Sequence, residues 1–538
     1  MIRHRAHRLC LLVVAFLALA LSAQPSTGAA AAAAPTVVGL SPMAGPLSGG
    51  TKVTVAGSGF TAKSTVLFGS TPSAKVTYLS PTRLTAVSPA HAAGTVQMRV
   101  RVGALTSPVK AGVSFTYRKT VTPPPQPLSV RTAVPARLPV GGGLVSLAGT
   151  GFTKVRSVKV DGQQVPYKIE STQHLRFTVP GGAEGPVVVT VSDGTATVPV
   201  PMSRASLPGL AQRPPLRGVT DRSTVPPDSP IVSGGTIEVQ WATVEPTAGG
   251  PLDVAAIHTL LDAADAAGTP VRLRVVGARV TPSWVLQKVG SVQWRDTHLG
   301  KVITYTIPRW WLSSYQDLFE AFQSRLAVEL AWHPSVSEVT VSECSTVYGE
   351  PFMRQSGIPN ATTIKSTNYT YLDDLRCLYR SIDATAAIWP AQRVALPVNP
   401  FQGFTPPSGD RKLLDTFAVM DYCRGLLGER CVLGNHSLRG TTDATMTCPD
   451  GSVVPASGQQ GGYDELYCRL RAAGAPTYYQ TARSSTIGSW TATLDRALVY
   501  GAGNVELNVD YPTYDPVLLA QYDLALEGGL PPVEGRGR

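Results

Sequence analysis

The sequence predicts a multidomain protein in which two all-β sandwiches precede a (β/α)₈ TIM barrel. Short alternating segments, separated by Gly, Pro and Ser, occupy residues 35–203, which is the pattern of β-sandwiches. A hexapeptide of the first sandwich recurs in the second. From residue 216, apolar strand-like runs alternate with helical patterns, as in a parallel sheet built of βα units. The 538 residues are enough for three or four domains.

The amino terminus has the pattern of a secretory signal peptide with an Ala-rich leader, residues 1–34. Three arginines precede an apolar run at residues 10–21, and small residues follow it. This run is too short to span a bilayer comfortably. We therefore expect a secreted protein, extracellular or at the cell surface, without a transmembrane segment after removal of the signal.

The net charge of +11 is spread thinly along the chain. Three of the positive charges belong to the leader, and the rest of the chain has no dense run of Lys and Arg. This distribution argues against nucleic-acid binding. It is compatible with an acidic polymer or a negatively charged cell envelope as a neighbour.

Six cysteines follow the leader, and an even number in an exported chain predicts three disulfides. Short spacing favours Cys423 with Cys431 and Cys448 with Cys468. That choice leaves Cys344 to pair with Cys377. No CxxC pair or His cluster accompanies these cysteines, so neither a metal nor a cofactor is predicted.

A repeat divides the β-rich half into two modules, 35–118 and 127–203. Residues 56–61 (AGSGFT) recur as residues 148–153 (AGTGFT), and each copy follows a strand led by Gly-Gly. The glycines suit turn positions with positive φ, and the Phe is expected in the core. A polyproline-like linker joins the two modules.

The first module opens with Ser41-Pro42, GPLSGGT at residues 45–51 and GSGF at residues 57–60. This opening resembles the start of an IPT/TIG immunoglobulin-like domain. The second module shares the glycines and lacks the Ser-Pro lead. The resemblance implies immunoglobulin-like folds that serve as spacers or adhesive units in exported and polysaccharide-processing proteins.

The barrel is expected over residues 216–530. In this fold the active site lies at the carboxyl ends of the strands, so residues that follow each strand are the candidates for chemistry. The eight predicted strands are Thr236–Trp241, Val271–Val276, Val302–Ile307, Glu338–Ser342, Arg393–Val398, Cys431–Leu433, Thr477–Gln480 and Asn504–Asn508.

The predicted strand ends are rich in acids, amides and aromatic residues. Aromatic faces stack on the C–H faces of sugars, and amides and acids bind hydroxyl groups. Paired carboxylates can supply the acid, the base or the nucleophile of glycoside hydrolysis. The candidates for sugar contact are Trp241, Trp284, Trp310, Asn399, His436 and Gln480.

A family resemblance starts with W-x-x-x-E-P followed by Gly-Gly in residues 241–250. It continues with GTPVRLRV at residues 268–275 and Pro-Ser-Trp at residues 282–284. These segments resemble the first two units of barrel glycoside hydrolases, in particular the β-galactosidase-type members of the retaining clan. The resemblance implies an acid/base glutamate after strand four and a nucleophilic glutamate at the end of strand seven.

Two glutamates compete for the acid/base position, since the Asn-Glu pair of the family is absent. Glu343 lies at the end of predicted strand four, and Glu350 lies in Gly349-Glu350-Pro351. We favour Glu350, because its Glu-Pro context and loop position suit a residue that reaches over the barrel mouth. Glu343 precedes Cys344, so a disulfide can hold it in place. For both, the alternative is a solvated or structural carboxylate.

The second carboxylate is harder to assign, because predicted strand seven ends at Gln480 and not at a glutamate. An amide cannot form the glycosyl-enzyme intermediate that a carboxylate forms. Three explanations stay open: the strand count is off by one and Glu506 is the second carboxylate; Glu350 and Glu506 form a rearranged pair; or the barrel only binds glycans. Alternation in residues 505–508 predicts that Glu506 points into the barrel, where an unpaired carboxylate is costly.

The sequence thus predicts a secreted glycoside hydrolase-like protein that acts on a poly- or oligosaccharide. Glu350 and Glu506 supply the chemistry, and the two immunoglobulin-like modules favour association with the cell envelope. The alternative is a non-catalytic glycan-binding or adhesive surface protein with a degenerate barrel.

Overall fold

The computed structural model describes residues 33–119, 126–207, 213–222, 232–298, 301–354, 357–400, 403–406, 408–411 and 413–528. Most of the predicted leader and of the polyproline-like linker lies outside these ranges. The chain forms two compact units, Met1–Pro124 and Pro125–Arg538. Among the described residues, no helix is long and apolar enough to cross a membrane.

The first unit is a sandwich of two sheets. Its strands are β1 (Thr36–Ser41), β2 (Ala44–Pro46), β3 (Lys52–Ser58), β4 (Thr65–Phe68), β5 (Thr71–Pro72), β6 (Val76–Ser80), β7 (Arg83–Val87), β8 (Gly94–Val102), β9 (Leu105–Thr106) and β10 (Ser114–Arg118). One sheet has the order β1-β3-β7-β6 and the other β2-β10-β8-β4-β5, with β9 against β8. Phe60, Phe68 and Phe115 lie in the core of this sandwich.

The second sandwich has the same arrangement and belongs to the second unit. Its strands are β11 (Ser129–Val134), β12 (Arg137–Pro139), β13 (Gly143–Thr150), β14 (Ser157–Val160), β15 (Gln163–Gln164), β16 (Tyr167–Ile169), β17 (His174–Val179), β18 (Gly185–Ser192) and β19 (Thr197–Ala205). The sheet orders are β11-β13-β17-β16 and β12-β19-β18-β14-β15. Phe152 is fully buried in its core.

The repeated hexapeptide has a steric cause in both sandwiches. A Cβ on Gly57 or on Gly149 would lie 1.9 Å from a carbonyl oxygen of the neighbouring strand, so only glycine allows the two strands to approach. The next glycine of each copy, Gly59 or Gly151, has a φ of 73° or 75° and turns the chain. The Phe that follows then enters the core.

A closed parallel barrel follows the second sandwich. The strands of this region are β20 (Gly218–Asp221), β21 (Gly234–Gln240), β22 (Val271–Val276), β23 (Ser291–His298), β24 (Lys301–Pro308), β25 (Val336–Thr340), β26 (Arg393–Pro397), β27 (Phe404–Thr405), β28 (Asp410–Arg411), β29 (Cys431–Leu438), β30 (Thr445–Thr447), β31 (Val453–Pro455), β32 (Thr477–Thr481) and β33 (Asn504–Glu506). The barrel closes in the order β20-β21-β22-β25-β26-β29-β32-β33. The predicted fold class, two sandwiches and a (β/α)₈ barrel, is confirmed.

Helices cover the barrel between its strands. They are α1 (Trp241–Val244), α2 (Ala255–Ala267), α3 (Ser283–Val289), α4 (Ser313–Leu330), α5 (Ile358–Lys365), α6 (Tyr371–Ile388), α7 (Leu413–Leu427), α8 (Tyr463–Ala473), α9 (Ser484–Ile487), α10 (Trp490–Val499) and α11 (Pro516–Leu526).

Two strand predictions need correction. The first barrel strand is β20 (Gly218–Asp221), a four-residue strand that is missing from the eight predicted strands. The predicted third strand, Val302–Ile307, lies in β24, which pairs only with β23 in a separate two-stranded ribbon. Its mostly exposed side chains explain the error, since alternation alone does not distinguish a ribbon from a barrel strand. The two errors cancel, so strands four to eight keep their numbers.

Three disulfides lie in the barrel region, and they join the pairs that spacing favours. Cys344 bonds to Cys377, which ties the loop after β25 to α6. Cys423 bonds to Cys431 and Cys448 to Cys468.

The second sandwich packs on α6 and α7 through a buried ion pair. Arg176 of β17 lies 2.9 Å from Asp415 of α7, and the two side chains are 6% and 1% exposed. Glu170 lies 3.4 Å from the same guanidinium. A second pair, Arg137 with Asp383 at 2.6 Å, is about a third exposed. A buried pair depends on both partners, because removal of one leaves a charge without compensation.

We predict that Asp415→Asn lowers the free energy of unfolding by about 3 kcal/mol, since it leaves Arg176 buried with a weaker partner. The matched control on the same helix is Asp421→Asn, whose ion pair with Arg469 is exposed and is worth about 0–1 kcal/mol. Urea titration of both full-length variants measures the difference. Equal losses would contradict the assigned role of Arg176.

Candidate active site

The barrel interior is polar along the strands that carry the candidate acids. Arg272 of β22 is fully buried and donates from Nε and Nη2 to Oε2 of Glu338, at 2.9 and 2.7 Å. It also donates to Oδ1 of Asn504 at 3.1 Å, and its guanidinium lies 3.7 Å from the centre of the Tyr478 ring. This cluster forms the floor beneath the candidate site.

Glu506, the last residue of β33, lies above that floor and is fully buried. Arg274 Nη2 donates to its Oε2 at 2.7 Å, and Gln480 Nε2 donates to its Oε1 at 2.5 Å. Strand β33 pairs with β32 and β20 but not with β22, so Arg274 reaches Glu506 only across the barrel interior. The predicted inward orientation of Glu506 agrees with these contacts.

Positive charge keeps Glu506 ionised. Arg222 Nε lies 3.5 Å from Oε1, and Arg272 Nη1 lies 3.6 Å from Oε2. Burial by itself raises the pKa of Glu506, but Arg274 and Arg222 more than offset it and lower the pKa to about 2. Glu506 is therefore a carboxylate at any physiological pH.

Glu350 lies in the loop after β25 and contacts a histidine of β29. Its Oε1 is 2.8 Å from Nδ1 of His436, and its side chain is 12% exposed. The other nitrogen of His436 is 2.8 Å from the hydroxyl of Tyr478. Among the described residues, the Oε2 atom of Glu350 is buried and has no hydrogen-bond partner.

The proton positions in this trio follow from burial. Burial lowers the pKa of His436 below 6.5, so its imidazole is neutral at pH 7. One tautomer then satisfies both contacts: Nδ1–H donates to Glu350, and Nε2 accepts the Tyr478 hydroxyl. Burial opposes ionisation of Glu350, but the His436 contact and Arg274 lower its pKa overall.

The two carboxylates thus differ in how many of their oxygens accept hydrogen bonds from protein groups. Both oxygens of Glu506 accept hydrogen bonds from protein groups, since Thr236 Oγ1 also donates to Oε2 at 3.2 Å. One oxygen of Glu350 contacts His436, and the other has no hydrogen-bond partner among the described residues. Such an arrangement can bind a polar ligand and can exchange a proton with it at Glu350.

Glu343 lies elsewhere. It is fully buried, and burial raises its pKa well above the usual range, with Glu320 adding to the shift and Arg380 opposing it. Those neighbours belong to α4 and α6, so Glu343 lies under the helix layer, where burial favours its protonated form. The structure does not bring it together with Glu350 and Glu506.

Two of the three candidate tryptophans need correction. Trp241 is fully buried and stacks on Phe322 of α4, with ring centres 5.2 Å apart. Trp310 is also fully buried and donates to Asp374 of α6 at 2.7 Å. Neither ring has a free face, so neither can stack on a sugar. Trp284 is partly exposed and stays a candidate.

The candidate amides have structural partners. Gln480 holds Glu506, as described above. Asn399 is fully buried, and its Oδ1 accepts from Tyr463 at 3.0 Å and from Asn435 at 3.2 Å. Asn399 therefore orders the ends of strands five and six.

Sequence reasoning missed the basic half of the site. Arg222, Arg272 and Arg274 surround Glu506, and Tyr478 completes the trio with Glu350 and His436. A signal existed for two of them, because Val271–Val276 alternates apolar residues with Arg272 and Arg274. On a strand buried on both faces, alternating arginines must point into the barrel and must face acids.

Fold and site together define a modular protein with two immunoglobulin-like domains and a closed parallel barrel in which Arg274 interacts with both Glu350 and Glu506. The family model for the IPT/TIG domain matches residues 35–117 and 128–203. The chain therefore contains two IPT/TIG domains. The comparison with curated proteins gives no match.

Among solved structures, the barrel part matches glycoside hydrolases. The catalytic domain of β-amylase from Paenibacillus polymyxa is 12% identical with a TM-score of 0.39, over 58% of this chain and 99% of that one. β-Glucosidase from Thermotoga maritima is 13% identical with a TM-score of 0.33, over 56% and 84%. The Plexin A4 extracellular region is 16% identical with a TM-score of 0.17, over 33% of this chain, and the chain spans only 19% of its length.

We predict a pH-dependent contribution of Glu506 to stability. Its folded-state pKa is depressed from 4.5 to about 2, so its stabilisation is full above pH 4.5 and is lost as the pH falls toward 2. The stability advantage of the wild type over Glu506→Gln should therefore shrink by about 2 kcal/mol between pH 6 and about pH 3. Urea unfolding at both pH values measures it. A difference independent of pH would mean that Glu506 is not ionised.

Proposed function

We propose that the protein is a secreted glycoside hydrolase that cleaves a poly- or oligosaccharide at the carboxyl end of its barrel. The observation that carries this proposal is the buried Oε2 atom of Glu350, which has no partner among the described residues, together with the ionised Glu506 that shares the neighbour Arg274 with it. The resemblance of residues 241–250 and 268–275 to barrel glycosidases supports the same substrate class.

In this proposal, Glu350 delivers a proton to the leaving glycosidic oxygen through Oε2. Its contact with His436 lets the two groups share the proton that the pair takes up as the pH falls. Glu506 provides the second carboxylate, as nucleophile or base, and its negative charge stabilises the oxocarbenium-like transition state. Gln480 and Arg274 hold Glu506 in position.

A second candidate is glycan binding without hydrolysis, and it has an observation of its own. Both oxygens of Glu506 already accept hydrogen bonds, and the residue at the end of strand seven is the amide Gln480. A carboxylate held in this way is a weak nucleophile, because its lone pairs are engaged and its charge is neutralised.

The two IPT/TIG domains complete the proposal. We assign them the role of spacers that keep the barrel near a polymer of the cell envelope. A mild excess of positive charge and three disulfides fit an extracellular setting.

We predict that Glu350→Gln lowers kcat/KM by roughly 10²–10⁴-fold, since the amide cannot transfer a proton. Glu506→Gln should remove nearly all hydrolysis. The control is Glu465→Gln on the exposed face of α8, which should act like the wild type. The full-length protein with its disulfides formed is tested on a panel of aryl glycosides and polysaccharides.

The same panel distinguishes the two candidates. Hydrolysis that survives both site substitutions would sink the assignment of these carboxylates. Absence of turnover in the wild type, together with binding on a glycan array that Glu350→Gln weakens, would establish the second candidate.

We also predict an acidic activity profile. To act as an acid, the pair of Glu350 and His436 must take up one proton beyond the one on Nδ1, and burial places the pKa of His436 below 6.5. The value of kcat/KM should therefore decline as the pH rises through that pKa. His436→Gln removes the shared proton and should move this limb of the profile. An unchanged profile in His436→Gln would exclude the histidine from proton transfer.

A further inference from the structure

A cluster of imidazoles and carboxylates lies outside the barrel mouth, where α2 meets the segment that precedes β25. Asp262 and Asp265 lie three residues apart on α2, and both face Nδ1 of His333. Asp265 Oδ2 is 2.6 Å from that nitrogen, and Asp262 Oδ1 is 3.8 Å from it. The three ligand atoms lie within 4.8 Å of one another, and a small movement of the exposed Asp262 side chain would let one ion contact all three.

The ring of His333 is fixed in its orientation. His333 is fully buried, and Trp332 stacks on it with ring centres 3.8 Å apart. Its far nitrogen, Nε2, is 2.9 Å from Nδ1 of His258, and His258 Nε2 is 4.0 Å from a carboxylate oxygen of Glu329. The two imidazoles thus form a chain from Asp265 to Glu329.

A metal-bound histidine is commonly oriented by hydrogen-bonded neighbours of this kind. A ligating imidazole donates its other N–H to a neighbour, which fixes the tautomer and raises the basicity of the ligating nitrogen. Here Nε2–H of His333 can donate to His258, whose own N–H then faces Glu329. Without an ion, Nδ1–H of His333 donates to Asp265 Oδ2. An ion that displaces this proton would find the Nδ1 lone pair between two carboxylates, one of which, Asp262, is 68% exposed to solvent.

We propose that Asp262, Asp265 and His333 bind one divalent ion of the zinc type. One imidazole and two carboxylates suit a borderline cation with tetrahedral geometry, and solvent can supply the fourth ligand next to exposed Asp262. Calcium takes six to eight oxygen ligands and makes poor use of an imidazole. The sequence from Val254 to Val271 contains no Lys or Arg that would neutralise the acids of α2.

The bound ion acts on stability. Asp265 Oδ1 already accepts the backbone N–H of Ser335 at 2.7 Å, so α2 and the start of strand four touch here. A zinc ion adds a second link between them and stabilises the folded state by mass action. The link lies at the amino-terminal end of β25, whereas Glu350 follows its carboxyl end, so the proposal does not depend on the catalytic assignment.

Zinc titration of the full-length, disulfide-bonded protein after treatment with a chelator tests the site. We expect one Zn²⁺ per chain by calorimetry and an upward shift in Tm. Asp262→Asn removes an exposed ligand without disturbing the core and should weaken binding at least about 10-fold. His258→Gln should weaken zinc binding roughly 10–100-fold, because His258 orients the ring of His333. Asp253→Asn, an exposed change just ahead of α2, is the matched control and should bind as the wild type does.

Three results would overturn the proposal. The first is no zinc uptake by the wild type up to about 100 µM, with no shift in Tm. The second is unchanged zinc affinity in both Asp262→Asn and His258→Gln, which would place the ion at another site. The third is uptake of Ca²⁺ but not of Zn²⁺ at these residues, which would contradict the assigned class of ion.

Discussion

The candidate site depends on one electrostatic constraint: a fully buried carboxylate, Glu506, is ionised inside the barrel. An ion at such a depth is destabilising by several kcal/mol unless charge and hydrogen bonds compensate it. Arg274, Arg222 and Gln480 provide that compensation from different strand ends. The same contacts therefore join Glu506 of β33 to β22, to β32 and to the residue that follows β20.

This constraint also separates the two carboxylates by role. Glu506 is neutralised by protein groups, whereas Glu350 keeps an oxygen that no described residue uses. His436 and Tyr478 join Glu350 to the barrel wall opposite the arginines. In the proposed mechanism, Glu506 supplies negative charge, and Glu350 with His436 transfers the proton that cleavage of a glycosidic bond requires.

The sequence predicted more of the fold than of the site, and the reasons are physical. Periodicity and the glycine repeat predicted the two sandwiches. At Gly57 and at Gly149 a Cβ would clash with the neighbouring strand, so both copies require glycine at this position. The inward orientation of Glu506 followed from alternation. Its partner Arg274 did not, because a contact across the barrel has no fixed spacing in sequence. The predicted positions of Trp241 and Trp310 were wrong for a related reason. An aromatic residue that follows a strand can pack against the helices as readily as it can line the barrel mouth.

The buried pair of Arg176 and Asp415 joins the second sandwich to α7. The packing that supports the barrel therefore includes residues that precede its first strand. A fragment that started at the first barrel strand would lack Arg176. It would expose Asp415 to water, together with the apolar face of α7 that packs on the second sandwich. The exchangeable module of this protein is therefore the sandwich and barrel together. A new multidomain protein that contains this barrel should therefore keep the second sandwich, and domains can be exchanged before residue 125.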